Sequence, residues 1–191
     1  ITPLHATEDG LWKLIDSKQR NCVRKGEKNG VEYIACHGKD TLQYLSDFQK
    51  LRQQTQQHAI SKNAQVSMLL KSDEYFKELF LNPNTRLFAA MIEGKVAAVA
   101  LMILSGKTVY YYSGGSDYEL NKKYSCSAFL IWKAICYFNQ YGLDFFDMGG
   151  VLIDHNPEKT LYAHFDKETA DTILREVFRN ELWVERDRGV V

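Results

Sequence analysis

The sequence predicts an α+β fold: a mixed sheet that opens as an antiparallel meander, crosses through a helix to a parallel strand, and carries helices on both faces. Three observations predict it. Three largely apolar runs, Leu87 to Ile92, Lys95 to Leu104 and Lys107 to Ser113, are joined by the two-residue turns Glu93-Gly94 and Ser105-Gly106. Turns of that length and type make β-hairpins. A helical pattern follows from Ser125 to Tyr141, with Ala128, Ile131, Trp132, Ile135 and Phe138 on one face. Gly142 ends it, and Leu143 to Met148 reads as a strand. A strand reached through a helix runs parallel to the one it left.

The remaining elements are read in chain order. Leu11, Trp12, Leu14 and Ile15 begin a helical pattern that runs on through Arg20, Arg24, Lys25 and Lys28 and stops at Asn29-Gly30. Val31 to Cys36 reads as a strand. Leu42, Leu45, Phe48 and Leu51 recur every third residue, predicting a helix whose Gln-rich tail (Gln53, Gln54, Gln56, Gln57) is a solvated helix end or a loop. A short helix spans Ser72 to Phe80, with Ser72 as N-cap and Asp73 and Glu74 in its first turn. The middle meander strand is apolar after Lys95, so it is expected to be covered on both faces. Gly114-Gly115 breaks the strand pattern, and Asp117 to Tyr124 reads as a loop. A last helix places Ala170, Ile173, Leu174, Val177 and Phe178 on one face.

Composition narrows the function. The 191 residues suit a single domain. Lys+Arg and Asp+Glu both number 24, so a protein that wraps nucleic acid by net charge is excluded, and any such contact comes from a local patch. The cysteines Cys22, Cys36, Cys126 and Cys136 show no CxxC spacing; no zinc or redox motif is indicated, and a reducing, cytoplasmic compartment fits. His155 and His164 lack a third ligand at useful spacing, so no metal site is expected. The longest apolar run, Val96 to Leu104, is far short of the roughly 20 residues of a membrane span. The chain begins with Ile1 rather than Met, which suits a piece of something longer.

Four segments carry a resemblance. Val109-Tyr-Tyr-Tyr-Ser-Gly-Gly-Ser116 is followed by Ser127-Ala-Phe-Leu-Ile-Trp132 and by Tyr141-Gly-Leu-Asp-Phe-Phe-Asp-Met-Gly-Gly150. Upstream lies Arg20-Asn-Cys-Val-Arg-Lys-Gly-Glu-Lys-Asn-Gly30. In this order they resemble the C-terminal domain of the FemABX aminoacyltransferases, a branch of the GNAT superfold. The resemblance implies a GNAT-like sheet in which the crossover strands splay apart and leave an acyl-donor cleft. It implies aminoacyl-tRNA as donor substrate with no further cofactor, and a peptidoglycan precursor as acceptor. Family members carry two GNAT-like domains. This chain has room for one, so it is a fragment, a one-domain relative or half of a dimer. Many members follow the last strand with an "FK" segment near the reacting groups. Here Asp166 stands at the Lys position and Lys167 one place later.

Acyl transfer to an amine needs alignment, a proton acceptor and oxyanion stabilisation. Asp147, at a strand end, is the candidate base or amine holder, and Lys167 the second catalytic candidate. The backbone at Gly114, Gly115 and Ser116 is a candidate donor contact, because glycine permits close approach. Tyr110 and Tyr112 face one side of the sheet and Tyr111 the other; Tyr112 is a candidate to reach the cleft. Arg20, Arg24 and Lys28 are spaced to share a helix face and to bind phosphate of a donor or acceptor; a solvated basic face is the plainer reading. The resemblance adds Lys62 toward the acceptor pyrophosphate.

Two other functions remain open. An acyl-CoA-dependent N-acyltransferase would usually carry a Q/R-x-x-G-x-G/A loop before the crossover helix, whereas Asp117 to Tyr124 has no glycine. A non-catalytic binding half fits the single domain and the altered segment at Asp166.

Overall fold

A computed structural model describes residues 2–4, 6–61, 72–148 and 166–173. The chain forms two compact units; the first holds every element through the last strand, and the second holds the final described helix.

The first unit begins with β1 (Thr2–Pro3), α1 (Glu8–Leu14) and α2 (Ser17–Lys28). The sequence pattern predicted one helix across this region; the structure has two. The break falls at Ile15, which is extended, and Asp16 restarts the helix by accepting a bond from the Gln19 amide. An aspartate that caps competes with continuation through it. β2 (Glu32–Cys36) follows, then a 3-10 turn at Gly38–Tyr44 and α3 (Leu45–Ser61). Leu42 lies in the 3-10 turn, where a spacing of three is the natural period. The Gln-rich tail is part of α3, with Gln53 and Gln57 exposed and Gln54 and Gln56 half-buried. Ser72 caps α4 (Asp73–Leu81) by accepting from the Tyr75 amide, as expected.

The meander is β3 (Thr85–Ile92), β4 (Lys95–Ser105) and β5 (Thr108–Ser116), paired antiparallel in sequence. Glu93 and Gly94 both take positive φ, 54° and 71°, the geometry of a tight hairpin turn. α5 (Tyr118–Tyr124) and α6 (Cys126–Asn139) lead to β6 (Phe145–Asp147), which pairs parallel to β5. The sheet order is β1-β6-β5-β4-β3-β2. In the second unit, α7 (Lys167–Ile173) is the described part of the expected last helix; Leu174, Val177 and Phe178 lie outside the described residues.

Residues 97–102 of β4 are all buried, as a strand covered on both faces must be. Ala98, Ala100 and Met102 join a core with Phe129, Leu130, Trp132 and Phe138 of α6 and Leu11 of α1. Val99 and Leu101 point the other way, to Phe48 and Leu51 of α3 and Phe76 and Phe80 of α4. Helices on both faces are thus required by the alternation of one apolar strand. Trp132, central to the family resemblance, is a packing residue: its ring meets Trp12 edge-on at 4.9 Å, and Arg24 lies over Trp12 at 5.4 Å. No helix among the described residues is long and apolar enough to cross a membrane.

Candidate functional site

The sheet opens at one place. β6 pairs with β5 only from Thr108 to Tyr110, opposite Phe145 to Asp147. β5 then continues to Ser116 with β4 on one side and, among the described residues, no strand on the other. The divergence leaves backbone groups of β5 without a ladder partner, which a bound group can satisfy.

A bulge shapes the wall at this point. The β4–β5 register shifts so that Leu101 faces Ser113 while Met102 faces Tyr111, leaving Tyr112 as the extra residue. A bulge turns two successive side chains to one face. The Tyr112 hydroxyl meets the Tyr75 hydroxyl of α4 at 2.5 Å, and Ser113 Oγ accepts from Arg52 Nε of α3 at 2.8 Å. Both lie on the α3/α4 face; Tyr111 lies on the other, mostly buried against the α6 core. Burial pushes the Tyr111 hydroxyl up to about 12; burial, then the bond to Tyr75, pushes Tyr112 up to about 12. Both stay neutral at physiological pH and can donate.

Asp147 sits where β6 leaves β5, in register with Tyr110. Val109 and Phe146, the preceding pair, are both buried in the α6 core. By alternation Tyr110 and Asp147 project to the α3/α4 face, the face that carries Tyr112. Tyr110, Tyr112 and Phe145 are 43%, 41% and 44% exposed, so this side of the divergence is open.

Gly114 and Gly115 do not break the strand, as the sequence suggested; with Ser116 they form the end of β5. The glycines serve packing. A Cβ at Gly115 would stand 2.4 Å from the Leu51 carbonyl, and one at Gly114 would stand 2.5 Å from the Val99 oxygen. The Ser116 amide donates to Thr55 Oγ1 at 3.0 Å. The segment Asp117 to Tyr124 also differs from its reading as a loop: it is α5, capped by Asp117, whose carboxylate accepts from the Leu120 amide. Ser125 then turns to positive φ, and Asn121 Oδ1 accepts from the Ser127 amide at 2.9 Å, at the start of α6. An amide at the crossover-helix N-terminus is therefore already bonded within the protein. Lys123 pairs with Glu93 at 3.8 Å, and the Tyr124 hydroxyl donates to Glu93.

The basic residues of α2 divide. Arg20 Nη1 donates to the Ile15 carbonyl at 2.6 Å and the Trp12 carbonyl at 3.3 Å, closing the end of α1. Arg24 and Lys28 are exposed, and Arg24 also donates to Asn21. α2 packs on α6, on the opposite face of the sheet from Tyr112 and Arg52. Lys62, Gly149, Gly150, His155 and His164 lie outside the described residues. Lys167 is the exposed first residue of α7 in the second unit. Asp166 caps that helix: its carboxylate accepts from the Thr169 amide at 2.9 Å and the Thr169 hydroxyl at 2.8 Å. Those bonds hold it below the usual carboxylate range, and they account for an acid at this position.

A family model for the acetyltransferase (GNAT) domain matches residues 17–160. The chain belongs to the GNAT acetyltransferase domain family. No curated protein matches this GNAT chain in sequence. Among solved structures it is similar to FemX, at 14% identity and a TM-score of 0.62, over 81% of this chain and 53% of FemX. It is similar to the C-terminal domain of a protein assigned as a lysylphosphatidylglycerol synthetase in Agrobacterium fabrum (13%, TM-score 0.54, 85% of this chain and 48% of that one). L-PGS from Bacillus licheniformis is a third (10%, 0.52, 81% and 49%). At these identities what is shared is the fold, a FemABX-like GNAT sheet, and the chain spans about half the length of each. The sequence reading missed Arg52, Tyr75 and Asn121. Each is an ordinary helix residue locally and gains meaning only from a β5 or α6 partner.

Proposed function

We propose that this GNAT chain transfers an aminoacyl group from aminoacyl-tRNA to an amine of a peptidoglycan precursor. The observation that carries the reading is the bond from the Ser127 amide to Asn121. Anions bind helix N-termini through free amides, and here one such amide, that of Ser127 at the start of α6, is already bonded to Asn121. An acyl donor that does not rely on that cradle fits better, and both the sequence resemblance and the fold shared with FemX agree with one.

In this reading the donor ester lies along the free edge of β5. The acceptor amine attacks the ester carbonyl, and Asp147 takes the proton the amine must lose. The negative charge on the carbonyl oxygen is met by β5 amides and by the neutral Tyr112 hydroxyl. Collapse of the tetrahedral species forms the amide and breaks the ester bond, and the tRNA 3′ oxygen leaves with the proton that Asp147 took from the amine.

Calorimetry with acetyl-CoA tests the choice of donor. The expected result is no binding in the low micromolar range. A dissociation constant there, about −8 kcal/mol, would favour an acyl-CoA-dependent N-acyltransferase, the reading the family description itself suggests.

A further inference from the structure

Arg52 is half-buried on α3 at the point where the sheet opens. Its guanidinium lies over the Phe76 ring at 4.6 Å and the Phe48 ring at 5.4 Å. Nε is fixed by Ser113 at the bulge. Among the described residues, no carboxylate lies within ion-pair distance of it, and no acceptor is bonded to its terminal amino groups. Asp73, at the start of neighbouring α4, is taken by Gln49 Nε2 at 2.5 Å. Burial lowers the affinity of Arg52 for its proton.

Charged groups withdrawn from water are ordinarily paired. Two aromatic faces contribute a part of what hydration gave, but they leave the donating edge of the guanidinium unused. That edge is a rigid fork matched to two oxygens of one anion. Its orientation is fixed before any ligand arrives, by the Ser113 bond and the phenylalanine stack, so little ordering remains to be done on binding.

We propose that Arg52 is an anion anchor in the wall of the cleft, its two terminal amino groups receiving the oxygens of a substrate carboxylate or phosphate beside the Tyr75–Tyr112 hydroxyl pair. This requires only the cleft, and it holds for either acyl donor. The acetyl-CoA measurement above and the one below therefore fail independently.

The test follows the Arg52 Nε–Hε resonance of the 15N-labelled full chain, assigned by its loss in Arg52→Lys. Sodium pyrophosphate and sodium acetate are titrated separately at constant ionic strength. The expected result is a saturable shift; the anion that saturates at the lower concentration identifies phosphate or carboxylate as the group bound. Followed by calorimetry, which does not rely on that resonance, Arg52→Gln is expected to weaken the binding at least tenfold, and Lys50→Gln, an equal charge change on the exposed side of α3, to leave it unaltered. The wild-type titration stands even if Arg52→Gln fails to fold, and Arg52→Lys keeps the charge while losing the fork. Absence of a saturable shift with both anions overturns the proposal. So does equal weakening in Lys50→Gln, which would make the effect one of general charge.

Discussion

Gly115 of β5 stands directly against the backbone of Leu51 in α3. A Cβ at Gly115 would lie 2.4 Å from the Leu51 carbonyl carbon and oxygen and 2.5 Å from the Arg52 nitrogen. The reason for glycine is space, since no positive φ occurs there. The same approach brings Arg52 to Ser113 and Thr55 to Ser116. Gly115→Ala is therefore expected to push α3 off the sheet and to cost about 3 kcal/mol, the upper end of over-packing penalties. Urea denaturation measures it; a loss under ~1 kcal/mol would mean that α3 shifts without resistance.

Arg20 and Arg24 are expected to part company. Arg20→Ala removes two charge-assisted bonds that close α1 and should cost about 1.5 kcal/mol, the lower end for such bonds because the group is only part-buried. Arg24→Ala should be near neutral in stability. If the exposed face of α2 holds phosphate, Arg24→Ala with Lys28→Ala should weaken binding of a tRNA about tenfold at low salt and less at high salt. Unchanged affinity at low salt would return this face to plain solvation.

Tyr111 gives an alkaline signature. Its hydroxyl is raised from 10 to about 12 by burial, so the unfolded chain releases this proton first. The neutral form's contribution to stability is complete below about pH 10 and is lost as pH rises toward 12. A two-unit difference corresponds to ~3 kcal/mol at most. Thermal melts from pH 8 to 11 should show stability falling from about pH 10, and Tyr111→Phe should flatten that fall. A Tyr111→Phe chain with the wild-type slope would assign the loss to other groups.

Asp147 tests the proposed chemistry. With Asp147→Asn, turnover is expected to fall by about 10²- to 10⁴-fold, the usual range for a general base, with donor affinity unchanged. Single-turnover transfer assays separate the two. A drop confined to donor affinity would make Asp147 a binding group.

The sequence by itself determined the meander and its crossover. The Gly-containing turns at Glu93 and Ser105, the unbroken apolar run of β4 and the helical spacing from Ala128 to Phe138 encode hairpins, a doubly covered strand and a crossover. These are local signals, set by turn chemistry and side-chain period, and the parallel pairing of β5 with β6 follows from them. The break at Ile15 and the helix at Tyr118–Tyr124 were also local events, but they turn on single capping aspartates, Asp16 and Asp117, that a periodicity reading passes over. What only the tertiary structure decided is the wall of the cleft. Gly114 and Gly115 read as a break in the strand because glycine is the usual turn residue, whereas a strand keeps glycine wherever another backbone must lie against it. Arg52, Tyr75 and Asn121 carry no sequence signal, because their partners Ser113, Tyr112 and the Ser127 amide are chosen by how the helices pack on the sheet.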